Sequence, residues 1–412
     1  NVNFDGQAAK VILNGGTIDG AVTSGGARAG DAGFGTIQVA GAATITGDVG
    51  EVHEGAANSF KNITAITVAN GAALTVTGKT YTNAITLAAA GGNFTSNNIV
   101  EATNISIGAG TFTAGGNVSG LKDWDAGALR ANSTAVLFTG NGTLNMQGYT
   151  LKGNVNFDGQ AAKVILNGGT ITGAVDSANA AGGTVELNGG DGTITGLVGQ
   201  TNPVAVNFLT NNTLTLGGAD IKVTAITTAA NTEGKILLNR AGNIDFAGNA
   251  GADGASLAEF KWGAAAAAQQ LTLGASNIYA TNIDGQNGGS TLIINGATTL
   301  SGAVKNAVTT INDGMTLTLA GGSFDAASTI NGSGAGEGAL VIDGAVTLNG
   351  VVGGNARLST VTINAGKTLT TGAVALSSTK VTLDGSGNFT AGGAVTANTI
   401  EIGSGTFAAG GA

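Results

Sequence analysis

The 412-residue chain has no cysteine, one proline (Pro203), one histidine (His53), two tryptophans and three tyrosines. Each scarcity excludes something. Without cysteine there is no disulfide framework and no thiolate metal site, and the absence suits a chain exported unfolded. With one proline and no G-X-Y period, collagen is excluded despite 73 glycines. Charged residues make up 10% of the chain, and its 16 Lys and Arg form no cluster against a net charge of −9. Nucleic-acid binding is therefore not expected, because counterion release needs a dense basic patch, and an anionic membrane surface is disfavoured for the same reason. No run approaches about 18 apolar residues, so no transmembrane helix is expected. Aromatics at 4% are too few for the plugged cores of large sandwich domains.

What remains is rich in Gly, Ala, Thr and Asn, with hydrophobic residues at 42%, enough to build a core. A 22-residue stretch occurs twice. Residues 1–22 read NVNFDGQAAKVILNGGTIDGAV and residues 154–175 read NVNFDGQAAKVILNGGTITGAV, an offset of 153 with Asp19 against Thr172 as the single change. A catalytic site needs one arrangement in one place. A stacked array needs the same surface offered again and again. A second homology links residues 93–117 to residues 388–412 without gaps at an offset of 295, with 14 of 25 positions identical. There Val100, Ile105, Ile107 and Phe112 match Val395, Ile400, Ile402 and Phe407.

Short alternating strands joined by Gly-containing turns recur at 35–50, 183–199, 290–304 and 339–350. In the first, Ile37, Val39 and Ile45 point one way and Thr36, Gln38, Thr44 and Thr46 the other, the period-2 signature of strands with one buried face. Asn14-Gly15, Asn188-Gly189, Asn295-Gly296 and Asp343-Gly344 punctuate the strands, and such residues tolerate the positive φ of sharp corners. The expected fold is all-β: a right-handed parallel β-solenoid (β-helix) with irregular coil loops, running as one continuous array over 1–412. At about 20–25 residues per turn this makes roughly 16–20 coils. Antiparallel sandwiches are the competing arrangement. The chain opens and closes inside repeats, so a segment of a longer surface protein is expected. Residues 120–138 and 252–270 hold Trp124 and Trp262 and are expected as non-solenoid excursions or flank helices, or as aromatic contacts for a partner.

Candidate chemistry is sparse, and no catalytic, cofactor-binding or metal-ligating residue is singled out. His53 lies between Glu51 and Glu54 in a polar, Gly-bounded stretch that suits an exposed loop better than a triad. Asp123 and Asp125 flank Trp124 and form the tightest carboxylate pair, with a solvated turn the favoured reading over a calcium or sugar site. The GGDG at 189–192 occurs once, short of the repeated calcium-binding nonapeptide. No phosphate-loop motif is present. Sequons at Asn62, Asn93, Asn104, Asn117, Asn132, Asn141 and Asn388 imply exposed turns. Thr-x-Thr pairs at 44/46, 170/172, 193/195, 213/215 and 316/318 fall at irregular gaps, which argues against an ice-ordering lattice.

The pieces GTIQV (35–39) with ATITGDVG (43–50), and YATNI (279–283) leading into STLIINGATTLSGAV (290–304), resemble the passenger regions of the rickettsial surface cell antigen autotransporters, the family of outer membrane protein B. The resemblance implies a passenger exported through a membrane barrel that coats the cell, forms a surface layer and mediates adhesion. No barrel-like run of amphipathic strands occurs in this chain. The expected function is a non-enzymatic extracellular protein of the bacterial cell surface acting as coat, stalk or adhesin. Expected partners are copies of itself, laterally or end to end, and a host-cell receptor or glycan. The alternative is a glycan-binding or glycan-cleaving β-helix protein of the tailspike or polysaccharide-lyase type.

Overall fold

The computed structural model describes residues 1–25, 34–51, 62–120, 122–125, 128–131, 134–263 and 267–410, with 122–125, 128–131 and 134 described by backbone alone. The described residues are all β, with no helix, and their parallel strands stack as a β-solenoid of about 18 turns. The chain divides into two compact units, Asn1–Asn207 and Phe208–Ala412.

In the first unit the strands Thr36–Val39, Ile63–Val68, Thr80–Leu87, Val100–Ile107 and Thr134–Phe138 lie side by side in parallel. Alternation within each strand becomes a column through the stack. Ile37, Ile66, Ile85, Ile105 and Val136 are register partners in turn, and all are buried. Val39, Val68, Leu87, Ile107 and Phe138 form the next column. A second wall carries Leu74, Phe94, Phe112, Leu144, Val164 and Val185 in one column. Phe94 and Phe112 stack at 5.2 Å between ring centroids, as do Phe138 and Phe157.

The second unit repeats the plan. Leu317, Leu340, Val361 and Val381 make one buried column and Leu319, Ile342, Ile363 and Leu383 the next, continued in register by Ile400 and Ile402, which are exposed. Each fully buried Val, Leu, Ile or Phe contributes about 1.5–3 kcal/mol. The inter-coil ion pairs, such as Lys163–Glu186 at 3.2 Å and Lys380–Glu401 at 2.7 Å, are largely exposed on the lysine side and belong to a class that contributes about 0–1 kcal/mol each. The columns, not the charges, hold the stack.

Both copies of the duplicated 22-mer make the same stacking bonds, although the Asn-Gly-Gly turn places its positive φ at Gly15 and Gly16 in one and at Asn167 and Gly168 in the other. Val2 pairs with Val22, and Val155 with Val175. The Asn1 Oδ1 accepts the Ala21 N–H at 2.8 Å, and the Asn154 Oδ1 accepts the Ala174 N–H at 2.9 Å. Asn3 and Asn156 each accept the N–H two residues on, closing a turn whose next residue, Asp5 or Asp158, has positive φ. The one substituted position sits at a coil corner. Asp19 receives the Thr46 hydroxyl on its carboxylate, whereas Thr172 receives the Thr195 hydroxyl on its backbone oxygen. The 25-residue homology at offset 295 also preserves its bond, from the Thr111 N–H to Asn93 and from the Thr406 N–H to Asn388.

A further device follows three of the five Asn-Phe pairs, those at Phe4, Phe157 and Phe208. Gly35, Gly183 and Gly234 have φ of 76, 78 and 72° and open the strands of a later coil. A Cβ on them would meet the rings of Phe4, Phe157 and Phe208 at 2.3, 2.0 and 2.6 Å. The phenyl ring occupies the space a side chain would take. Not every expected corner needs positive φ: Gly296 and Gly344 lack it, and are glycine because a Cβ would strike the backbone of the preceding coil at 2.5 and 2.0 Å.

Of the two expected excursions, the first leaves the parallel stack and the second does not. Within 120–138, Lys122–Asp125 and Ala128–Ala131 form a two-stranded antiparallel hairpin, not a helix, while Thr134–Phe138 rejoins the stack. Within 252–270, Leu257–Trp262 is a parallel strand between Lys235–Leu238 and Gln270–Asp284. Trp262 is a fully buried core residue there, which corrects the flank-helix and partner-contact readings for that segment. Trp262 succeeds Leu238 in its column.

Tyr81 is a buried polar exception. It is only 4% exposed and pairs in register with Glu101, itself buried. Burial, then the negative charges of Glu101 and Asp48, push the phenol up from 10.0 to about 12. A raised folded-state pKa contributes stability that is whole below pH 10.0 and is lost as the pH climbs through about 12. Alkaline absorbance titration of the folded chain should therefore show one phenol ionising near pH 12, missing from Tyr81→Phe. A wild-type curve lacking that component would contradict the buried placement. For the ring-against-glycine contact, Gly183→Ala should cost about 2–4 kcal/mol in denaturant unfolding, from strained φ plus overpacking. Gly189→Ala has φ of 95° but open space around it, so it should cost only about 1–2 kcal/mol. Equal costs would show that the phenyl contact adds nothing.

Candidate functional site

The surface a stacked coil offers is its outward columns, and one of them is a threonine file that sequence spacing does not reveal. Thr17, Thr44, Thr75, Thr95 and Thr113 are register partners through five successive strands. The irregular sequence gaps vanish because loops of different length leave the stack at the corners. The column beside it runs Ala42, Ala73, Asn93, Thr111 and Thr143, so the threonine face is a single file rather than a lattice.

The candidate chemical groups are scattered. Residues 52–61, with His53 and Glu54, lie outside the described residues, as does Asn132. Asp123 and Asp125 sit on the hairpin, opposite Arg130 and Ala128 in register. Of the sequon asparagines, Asn93, Asn117, Asn141 and Asn388 accept a backbone N–H of the following coil through Oδ1, at 2.9–3.1 Å. Asn70, Asn167, Asn231 and Asn331 do the same. Asparagine abundance, read from the sequence as turn propensity, is largely a set of coil-to-coil caps. Among the described residues no three His, Asp or Glu side chains converge as a metal site.

One surface feature of the second unit concentrates chemistry. A cleft of about 420 Å3 lies across the strands Asp220–Thr228, Ile244–Ala250 and Gln270–Asp284. Its floor includes Thr227, Asn249, Asn277 and Tyr279, and Asp253 stands at its rim. Ala225, Asn249, Asn277 and Thr299 form one outward column. The Asn277 amide donates to the Asn249 Oδ1 at 2.9 Å, tying two coils together at the floor. The wall is a tight turn in which Ala252 and Ala255 exchange backbone bonds of 3.0 Å each way. Register slips between Lys222 and Ala225 and between Phe246 and Gly248, so bulges in successive strand pairs re-aim the side chains here. The sequence reading quoted Tyr279 only within YATNI and did not single out Asn249, Asn277 or Asp253. Four residues from two successive coils, Asn249 and Asp253 in one and Asn277 and Tyr279 in the next, carry no signature in a linear motif.

No family model matches the chain, and no solved structure matches it. Among curated proteins, the chain is 28% identical over 391 residues to Outer membrane protein A of Rickettsia rickettsii. The match covers 90% of this chain and 16% of that protein, so the chain spans about a sixth of the length of the curated relative it matches. Along nine-tenths of its length, this β-solenoid chain is therefore similar to a rickettsial outer membrane surface protein.

Proposed function

We propose that this chain is a non-enzymatic part of an extracellular bacterial surface protein, serving as coat, stalk or adhesin. The observation that carries the reading is the similarity to Outer membrane protein A along 90% of the chain. Its repeated chemistry supports the same reading. The duplicated 22-mer reproduces stacking bonds, the asparagines cap neighbouring coils, and the lysine–glutamate pairs link them. These conserve a stack, which is what a coat or stalk requires.

Self-association, laterally through the small outward residues or end to end through strand edges, extends the proposal. Edge strands present unpaired N–H and C=O groups to any second copy. A host-cell receptor is the further partner of the adhesin reading.

Antibodies raised against this chain should label intact cells that make the full-length protein, and protease applied to those cells should remove the label. Signal appearing only after lysis would overturn the surface assignment. Sedimentation velocity of the purified chain should show association that grows with concentration. A single monomeric species at every concentration would remove self-association while leaving the surface assignment standing.

A further inference from the structure

The cleft of the second unit has features that the stacking role does not use. Asn249 and Asn277 are exposed, and their mutual bond uses one donor and one acceptor. That leaves Asn249 with its amide N–H2 and Asn277 with its Oδ1 directed to solvent. The Tyr279 side chain lies partly buried beside them in the cleft lining, in a chain with three tyrosines. Asp253 is exposed at the tip of the wall.

The site is also built rather than incidental. The wall starts at Gly251, whose φ of 70° turns the chain out of the coil. A Cβ there would lie 2.3 Å from the Tyr279 carbonyl oxygen, so wall and floor are in direct backbone contact. The Gly251 N–H donates to the Ile226 carbonyl at 2.9 Å, and the Asn231 side chain accepts both the N–H and the hydroxyl of Ser256 at 2.9 and 2.7 Å. Floor residues come from parallel strands with fixed register, so little ordering remains to be done when a ligand arrives.

We propose that this cleft binds a neutral oligosaccharide. A sugar hydroxyl both donates and accepts, which matches the free donor of Asn249 and free acceptor of Asn277. The Asp253 carboxylate accepts from a hydroxyl pair. The Tyr279 ring offers an apolar face with a polar tip to the C–H side of a pyranose. Size agrees, since about 420 Å3 falls within the range of small-ligand sites, roughly 300–1,000 Å3. The lining holds no lysine or arginine and does hold an aspartate, which selects against sialylated or sulfated sugars. An amide-lined floor selects against lipid chains. For its biological setting the inference rests on the surface reading, deepening it by naming a ligand class. The binding itself is a property of the isolated chain.

The test uses the purified 412-residue chain with neutral trisaccharides of gluco, galacto and manno configuration, alongside sialylated and sulfated comparators. Binding is read by saturation-transfer NMR and calorimetry. At least one neutral trisaccharide should bind, and more tightly than the anionic comparators. Tyr279→Ala should weaken that binding by roughly three- to tenfold, with Tyr279→Phe retaining it because the ring is kept. Asp253→Ala should weaken it several-fold, and Lys380→Gln, in a distant coil, should not. Thermal melts report folding of each variant. If Tyr279→Ala fails to fold, Asp253→Ala, at an exposed turn tip, decides alone. The proposal is overturned if no neutral sugar binds the folded chain at millimolar concentration, if anionic sugars bind better, or if binding ignores the cleft substitutions. None of these results bears on cell labelling, so failure here leaves the surface reading intact, and failure of cell labelling leaves this one intact.

Discussion

Parallel pairing of one coil with the next is the constraint on which the rest of the structure depends. Once backbone hydrogen bonds hold two coils in register, every side chain inherits a neighbour above and below, about 4.8 Å away. A position that is aliphatic in one coil then favours an aliphatic residue in the next, and columns such as Ile37–Ile66–Ile85–Ile105–Val136 result. The narrow interior explains the composition. Val, Ile, Leu and Phe fill it without polar atoms. Tyr81, buried beside Glu101, carries an electrostatic penalty for ionising.

Glycine serves this constraint in two distinct ways. At Gly183 positive φ turns the chain while the absent side chain admits the Phe157 ring. At Gly344 the backbone is ordinary, and what matters is that a Cβ would collide with the Ala320 carbonyl of the neighbouring coil. The abundance of glycine thus reflects close coil-to-coil approach as much as turning. Asparagine is similar: its side-chain oxygen replaces a backbone acceptor where coils turn and ladder bonds stop.

A scaffold of this kind separates the groups that stack it from those left for recognition. Inward columns and corner caps hold the coils. Outward positions are free to vary, and in the second unit bulges and a protruding turn gather them into a cleft. The similarity to an outer membrane protein runs along most of the chain. Recognition resides in a handful of outward residues, which is the usual division between fold and site.

Local periodicity made the architecture legible before any coordinates. Alternation in 35–50 places Ile37, Val39 and Ile45 inside, and all three are fully buried. The duplicated 22-mer implied repeated coils, and its two copies make the same bonds. Alternation and repetition are properties of neighbouring residues, so a linear reading captures them. Whatever depends on alignment between coils stayed hidden. The threonine file from Thr17 to Thr113 leaves no trace in the sequence because loops of unequal length separate its members. Trp262 looked like a surface feature because nothing near it in the chain reveals that Leu238 lies beneath it. Asn249, Asp253 and Tyr279 meet only because parallel pairing places residues of successive coils side by side, and that juxtaposition exists in three dimensions alone.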